Sequence, residues 1–334
     1  MSFSATTLFV SGHLATSLAV TFFALFIFTL VAIPWLAAHM RFWGNRNRKK
    51  SYFTSADLLV QMSMPCLAGV FFFGMVSFHL VSLRHSSALM TVIILMAPLV
   101  VAVPFLCFVW GAFFILSRKL SRWAENDLLY LLAVGVAAAG ALVIVTALIA
   151  GAVDKSLWPN IRENAASVFV SPSFLFGLVA AGLASFVVGG ILLMLIGRRS
   201  FFWERGVSVS EGAFLIQMGA APSLFAAILL IGWAGSWWLA GGLKPLRDVI
   251  FSGDIVLLSL SGVLVVGVVA MIEMLASVLK KKGNAPRTSF TVAVLLFVVV
   301  FFATSIFLRL DLSGALKRVQ VAPKAMTQGL PGAR

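Results

Sequence analysis

Long apolar runs separated by short polar segments are the feature that most limits how this 334-residue chain can fold. A helix of about 20 apolar residues crosses the hydrocarbon core of a bilayer, and a structure inside lipid must satisfy all of its own backbone polar groups. The runs therefore predict membrane-spanning helices. Eight candidate spans result, at residues 7–39, 56–82, 88–117, 127–152, 172–197, 211–236, 253–279 and 289–310.

No soluble domain is left over between these runs, so we expect an all-α integral membrane protein whose residues 1–312 form one polytopic transmembrane domain. The longest connection, residues 153–171, falls at the midpoint of the chain. It predicts two four-helix groups, spans 1–4 and spans 5–8, with a short interfacial helix in the connection. Residues 313–334 are polar and contain Gly and Pro, so we expect an outer-side tail that is either extended or ordered by a partner.

The basic residues indicate how the chain is oriented. Fifteen of the 25 lysines and arginines fall in the loops after spans 1, 3, 5 and 7, and six fall in the opposite loops. By the positive-inside rule the first set is cytoplasmic, which places both termini on the outer, periplasmic side of a bacterial inner membrane. The charged residues form no basic stripe with interleaved aromatics, so we expect membrane lipid and no nucleic acid as a partner.

Three of the four histidines fall near one predicted membrane level, at the outer ends of spans 1 and 2. They are His13, His79 and His85, whereas His39 lies about 39 Å of helix from His13, at the inner face. Two helices that contribute one histidine each can hold a b-type haem, so His13 and His79 are candidate ligands of a haem iron. Met75, one turn before His79, can pack on that haem or ligate it. Alternatively, each histidine simply reaches headgroup water.

Arg84, His85 and Glu273 are candidates for proton and quinone chemistry. Arg84 and His85 can bind the oxygen of a quinone headgroup, with His85 exchanging a proton near neutral pH, although Arg84 also fits an interface anchor. Glu273 is the one acidic residue well inside a predicted span, which is typical of a functional carboxylate. It lies about 10 Å from Lys280, so hydration at the inner interface is the alternative.

Motifs for several enzyme classes do not occur in the sequence. It contains no Walker A motif, no His-Glu-x-x-His and no nucleophile elbow, which excludes the usual routes to ATP hydrolysis, zinc proteolysis and serine hydrolysis. Cys66 and Cys107 lie inside apolar runs without a Cys-x-x-Cys motif, so they predict inert thiols rather than a metal site or covalent haem attachment.

Two stretches resemble a known family. They are "SGHLATSLAVTFFALF", which contains His13, and "SVFVSPSFLFGLVAAGLASFVVGG", which contains Pro172 and Phe174. Both resemble subunit I of the cytochrome bd quinol oxidases, and more specifically its divergent relatives in bacterial electron-transfer complexes. In that family a histidine at the outer end of the first span ligates a b-type haem, and a Pro-x-Phe stretch opens the fifth span. The resemblance implies that His13 is a haem ligand and that a quinone is the substrate.

The sequence departs from that family at positions that matter for oxygen chemistry. The family has a haem-ligating histidine in the third turn of span 5, where this chain has Ala180. Span 3, "APLVVAVPFLCFVWGAFFI", lacks the carboxylate expected near an oxygen-reducing haem. We therefore expect no oxygen reductase acting alone. We expect a membrane subunit of a quinol-oxidising oxidoreductase complex, which passes electrons between the quinone pool and a redox protein at the outer face.

Two alternatives remain open. The first is a cofactor-free quinone-binding anchor of the polysulfide-reductase type, which is also eight-helical and has an iron–sulfur protein docked on it. The second is a proton-coupled transporter with Glu273 as its coupling site, or a structural scaffold subunit. The sequence shows no inverted repeat and no pair of broken spans, which disfavours transport.

Overall fold

The structure of the chain is a computed structural model. It is helical, with short turns and no β-strand, over the residues that it describes, namely 5–48, 50–95, 127–153, 158–202, 209–239 and 255–327. This confirms the expected all-α class. Residues 96–117 of the predicted third span lie outside the described residues.

Nine helical elements occupy the described ranges. They are α1 (Ala5–Asn47), α2 (Lys50–Leu95), α3 (Asp127–Val153), α4 (Trp158–Glu163), a 3-10 helix (Ala165–Val170), α5 (Pro172–Phe202), α6 (Val209–Leu239), α7 (Ile255–Lys280) and α8 (Pro286–Thr327). Within the described ranges, seven stretches are long and apolar enough to cross a membrane. They are His13–Asn47, Tyr52–Val81, Val134–Gly151, Pro172–Arg199, Val209–Leu239, Ile255–Lys280 and Pro286–Ile306. The chain is therefore a multi-span helical membrane protein.

Helix α2 is longer than the sequence predicted. The polar residues 83–87 were expected to form a loop after the second span, but the helix is continuous from Lys50 to Leu95. The segment "LRHSS" contains neither glycine nor proline, so no residue in it terminates a helix. Arg84 and His85 consequently belong to the body of α2.

The helices pack around two main hydrophobic cores. The first core joins α1, α2 and α3, with the fully buried Ile33, Met40 and Leu59, and also includes Leu193 of α5 and Leu215 of α6. The second joins α5, α6, α7 and α8 around Ile191 and Ile216. Helix α1 also packs against α5 and α8, and α3 packs against α5, so the two cores form one continuous bundle.

Helices α5 and α6 approach closely enough for their backbones to touch. A Cβ atom added at Gly190 would lie 2.4 Å from the carbonyl oxygen of Gly219, and one added at Gly219 would lie 2.2 Å from the carbonyl oxygen of Gly190. Beside them, the Ser223 hydroxyl donates a hydrogen bond to the Val187 carbonyl across the interface at 3.0 Å. Small residues and interhelical hydrogen bonds of this kind hold membrane helices together where burial against lipid offers no driving force.

The connection between the two halves is folded onto the end of the bundle. Ile161 of α4 and Val168 of the 3-10 helix are buried, and with Phe174 they form a third core against α3. Ser171 caps the following helix α5, because the Phe174 amide donates to its hydroxyl at 3.2 Å. Pro172 then occupies the first helical turn, where its missing amide hydrogen is not needed.

Helix α8 continues into the segment that the sequence predicted to be a tail. It runs from Pro286 to Thr327, so residues 313–327 are helical and not extended. Residues 315–320, "ALKRVQ", are mostly strong helix formers. The first proline after Pro286 is Pro323, which lies beyond them. Residues 328–334 lie outside the described part of the chain.

Candidate functional site

The packing of α1 against α2 determines which of the candidate residues can meet. The helices are antiparallel, with the rings of Phe22 and Phe73 stacked at 4.8 Å and Gly69 against the ring of Phe26. Further along, Arg41 pairs with Asp57. The residue numbers of these three contacting pairs add to 95, 95 and 98. This register gives the level of every residue on one helix relative to the other.

His13 lies at the level of the polar segment of α2. It is a half-buried residue near the start of α1, and the α1–α2 register places it opposite residues 82–85. That range contains Arg84 and His85, whose backbone is helical but whose side chains lie outside the described part of the structure. Three of the predicted site residues therefore share one level, at the same end of α1 and α2.

His79 and Met75 lie on the opposite face of α2 from the α1 contact. The face toward α1 carries Phe73 and Ser77, whereas His79 is exposed and Met75 is 67% exposed. Residues four apart share a helix face, so Met75 and His79 lie one above the other on that outward surface, as the sequence predicted. The same register places His79 opposite residues 16–19, about one turn deeper along the bundle than His13.

The residues present do not fit a haem held between α1 and α2 by His13 and His79. The two histidines differ in level by about 5–9 Å along the helix axis, and His79 is directed away from α1. Phe22 and Phe73 stack between the helices, and Phe26 lies directly against Gly69, so the helices are in direct contact just below the level of His79. The pairing of His13 with His79 therefore stays a prediction from sequence without geometric support, and no chemical step is derived through it.

Glu273 is exposed on the surface of α7 rather than directed into the bundle. Ser259, Gly262 and Val266, which share its face of the helix, are also outside the core, and a Cβ atom added at Gly262 would meet nothing within 4 Å. Among the described residues, no three His, Cys, Asp or Glu side chains come together as a metal site. Glu273 is thus separate from the cluster at His13.

A band of buried hydroxyl groups below His13 was not predicted from the sequence. It comprises Thr16, Ser17 and Thr21 on α1, which are at most 1% exposed. The Thr21 hydroxyl donates to the Ser17 carbonyl at 2.7 Å and lies 2.8 Å from the hydroxyl of Thr304 on α8. Ser17 is four residues after His13, so the two share one helix face, and that spacing was the available sequence signal.

A salt bridge at the opposite end of α1 and α2 was also missed. The Arg41 guanidinium donates to the Asp57 carboxylate at 2.5 Å, and the Asp57 side chain is 54% exposed. We expect Asp57→Asn to lower the free energy of unfolding by less than about 1 kcal/mol, because exposed ion pairs are weak. Thermal unfolding in detergent at low and at high salt measures this effect, which should shrink as salt is added. A loss that salt does not change would contradict the interpretation.

Comparison with known proteins identifies a similar fold but no similar sequence. No protein family model matches the sequence, and no curated protein matches it. One solved structure that matches is a chain of the bd oxidase from Geobacillus thermodenitrificans, with a TM-score of 0.63 and 12% sequence identity. The match covers 95% of this chain and 96% of that chain, so the two have about the same length. The chain therefore has the fold of that bd oxidase chain, in agreement with the resemblance stated from the sequence.

Proposed function

We propose that the chain is a membrane subunit of a respiratory electron-transfer complex that exchanges electrons between the quinone pool and a partner at the outer face. The observation that carries this proposal is the likeness to a bd oxidase chain over nearly its whole length. The absence of a histidine at Ala180, in the stretch where the related family has a haem ligand, supports a role other than oxygen reduction by this chain alone.

The proposed quinone site lies where His13 meets the level of Arg84 and His85. A quinol that is oxidised loses two protons together with two electrons, and an imidazole with a pKa near 6.5 suits the acceptance of such protons at neutral pH. Arginine can donate hydrogen bonds to a quinone oxygen at every pH that a cell experiences. Under the predicted orientation, the protons would leave on the outer side.

The outward face of α2 is the proposed contact for a partner subunit. Met75, Phe78 and His79 are all exposed there, and Phe78 is 51% exposed. Aromatic residues and methionine are enriched in protein interfaces, and a histidine is rarely placed against lipid alone. His79 is thereby assigned to the partner contact, separately from the quinone site.

Quinol turnover by the complex, purified with its own partners, tests the quinone assignment. His85→Ala is expected to lower the turnover number at least tenfold, since a positioned acid or base typically contributes a hundredfold or more. His39→Ala is the matched control, because His39 is an exposed histidine at the other end of α1. Turnover by His85→Ala equal to that of His39→Ala would refute the quinone site.

A quinone-binding anchor without a haem of its own is the second candidate. It is favoured by one observation, the failure of His13 and His79 to face each other across α1 and α2. A reduced-minus-oxidised visible spectrum of the purified chain distinguishes this anchor from a haem-containing subunit. A sharp b-type band lost in His13→Ala would support the haem-containing subunit, and a featureless spectrum with bound quinone would support the anchor.

A further inference from the structure

The turn between α1 and α2 is held at the membrane surface by the two spans that it joins. One apolar span ends at Asn47 and the next begins at Tyr52, so only residues 48–51 separate them. Basic residues next to the ends of membrane spans lie at the water interface, so we place this turn at the level of the lipid headgroups. Any ligand that it binds must therefore be reachable from the lipid surface.

The turn carries more positive charge than its surroundings neutralise. Residues 41–57 contain five basic residues and one acidic residue, Asp57, which is already paired with Arg41. Arg46 and Arg48 are both exposed, and no carboxylate of the described residues lies within salt-bridge distance of them. A surplus of this size at a bilayer surface attracts anionic lipid headgroups.

A shallow, open cleft next to these charges could accommodate a headgroup. It has a volume of about 350 Å³ and is lined by Gly44, Asn45, Arg48 and Phe53. One wall is therefore aromatic, one contains a guanidinium, and the Asn45 amide can donate a further hydrogen bond. The combination of an apolar wall with cationic and amide donors fits an amphiphile that carries a phosphate.

Arg48 has a left-handed backbone and lies close to a second arginine in the same turn. Arg48 has φ of 51°, in the left-handed region that favours glycine or asparagine. Beside it the Arg46 guanidinium lies over the ring of Trp43, 5.5 Å from its centroid, which fixes a second cation at the same level. Arg48 therefore occupies a backbone position that suits glycine, as Lys282 does in the turn after α7.

We propose that this cleft binds the phosphate of an anionic phospholipid, with Arg48 and Arg46 pairing with the phosphodiester and Phe53 packing against the glycerol and upper acyl region. Arginine forms charge-assisted, bidentate hydrogen bonds with phosphate oxygens, which makes it suited to this group. The predicted orientation places the turn on the cytoplasmic side, where anionic lipids attract juxtamembrane basic segments. The site is independent of the proposed quinone site, which lies at the other end of α1.

Native mass spectrometry of the full chain in detergent, titrated with phosphatidylglycerol, tests the proposal. The wild-type chain should bind phosphatidylglycerol at least tenfold more tightly than phosphatidylcholine with the same acyl chains. The double variant R46Q/R48Q should weaken phosphatidylglycerol binding about tenfold. Inorganic phosphate at the same concentration should displace no lipid, because it lacks the part that contacts Phe53.

Two further variants test whether a loss of lipid binding results from misfolding or from the loss of positive charge in general. Arg48→Gly suits the left-handed backbone, so it should fold at least as well as the wild type and still lose phosphatidylglycerol binding. The double variant K281Q/K282Q removes the same charge from the exposed turn after α7 and should change binding less than twofold. An equal loss in K281Q/K282Q, equal binding of phosphatidylcholine, or displacement by inorganic phosphate would each overturn the lipid site.

Discussion

Gly190→Ala and Gly219→Ala are expected to destabilise the chain strongly, although each adds only one methyl group. The new Cβ at Gly190 would lie 2.2 Å from the Ser223 hydroxyl and 2.4 Å from the Gly219 carbonyl oxygen. The new Cβ at Gly219 would lie 2.2 Å from the Gly190 carbonyl oxygen. Backbone atoms cannot rotate aside, so α5 and α6 would have to separate. We expect each variant to lose about 2–3 kcal/mol of unfolding free energy.

Two glycines on the same helices provide the control for this prediction. A Cβ atom at Gly182 on α5 or at Gly232 on α6 would meet nothing within 4 Å. Their substitution by alanine should be neutral or stabilise the helix by about 0.5–1 kcal/mol, since glycine is the poorer helix former. The midpoint of thermal unfolding in one detergent measures all four variants. Equal shifts at all four positions would show that α5 and α6 do not touch as described.

The close contact of α5 with α6 could be predicted from sequence only in general terms. The stretch "GLVAAGLASFVVGG" indicates a helix that another helix can approach closely. It does not show which glycine makes the contact, and the structure uses Gly190 for α6 but leaves Gly182 open. The answer depends on the rotation of α5 about its axis, which partner helices determine and a single sequence does not contain.

The helix face that His79 occupies could not be predicted, for a related reason. Phe71, Phe72 and Phe78 on the outward surface of α2 are as apolar as the residues that face α1. In a soluble helix the polar face would have shown which side is buried, but a lipid-facing surface carries no such contrast. The distance of His79 from the end of the apolar run therefore predicted its approximate depth in the membrane. It gave no information about which face of α2 His79 occupies.

The sequence predicted one shared membrane level for His13, His79 and His85, and this stays a prediction. His13 and the segment with Arg84 and His85 lie opposite each other because the turn at residues 48–51 is short and sets the α1–α2 register. Residues 83–87 were expected to form a loop, yet the helix continues through them. A polar segment without glycine or proline ends an apolar run but does not end a helix. Hydropathy alone cannot distinguish the end of an apolar run from the end of a helix.

Gly283→Ala is expected to be at least as damaging as the changes at the α5–α6 contact. Gly283 closes the turn between α7 and α8 with φ of 77°, and its amide donates to the Val278 carbonyl at 3.1 Å. A Cβ atom there would lie 1.9 Å from the carbonyl oxygen of Ala213 on α6. The left-handed backbone alone costs a non-glycine residue about 1–2 kcal/mol.

The total loss for Gly283→Ala should reach about 3 kcal/mol or more, because the clash adds to the backbone strain and the turn cannot move without lifting the start of α8 from α6. Lys282→Gly is the matched control in the same turn. Lys282 also has a left-handed φ, of 48°, and its side chain is exposed, so glycine should relieve strain there and raise the unfolding midpoint slightly. Thermal unfolding of the two variants should therefore shift in opposite directions. A Gly283→Ala chain as stable as the wild type would mean that the α7–α8 turn does not rest against α6.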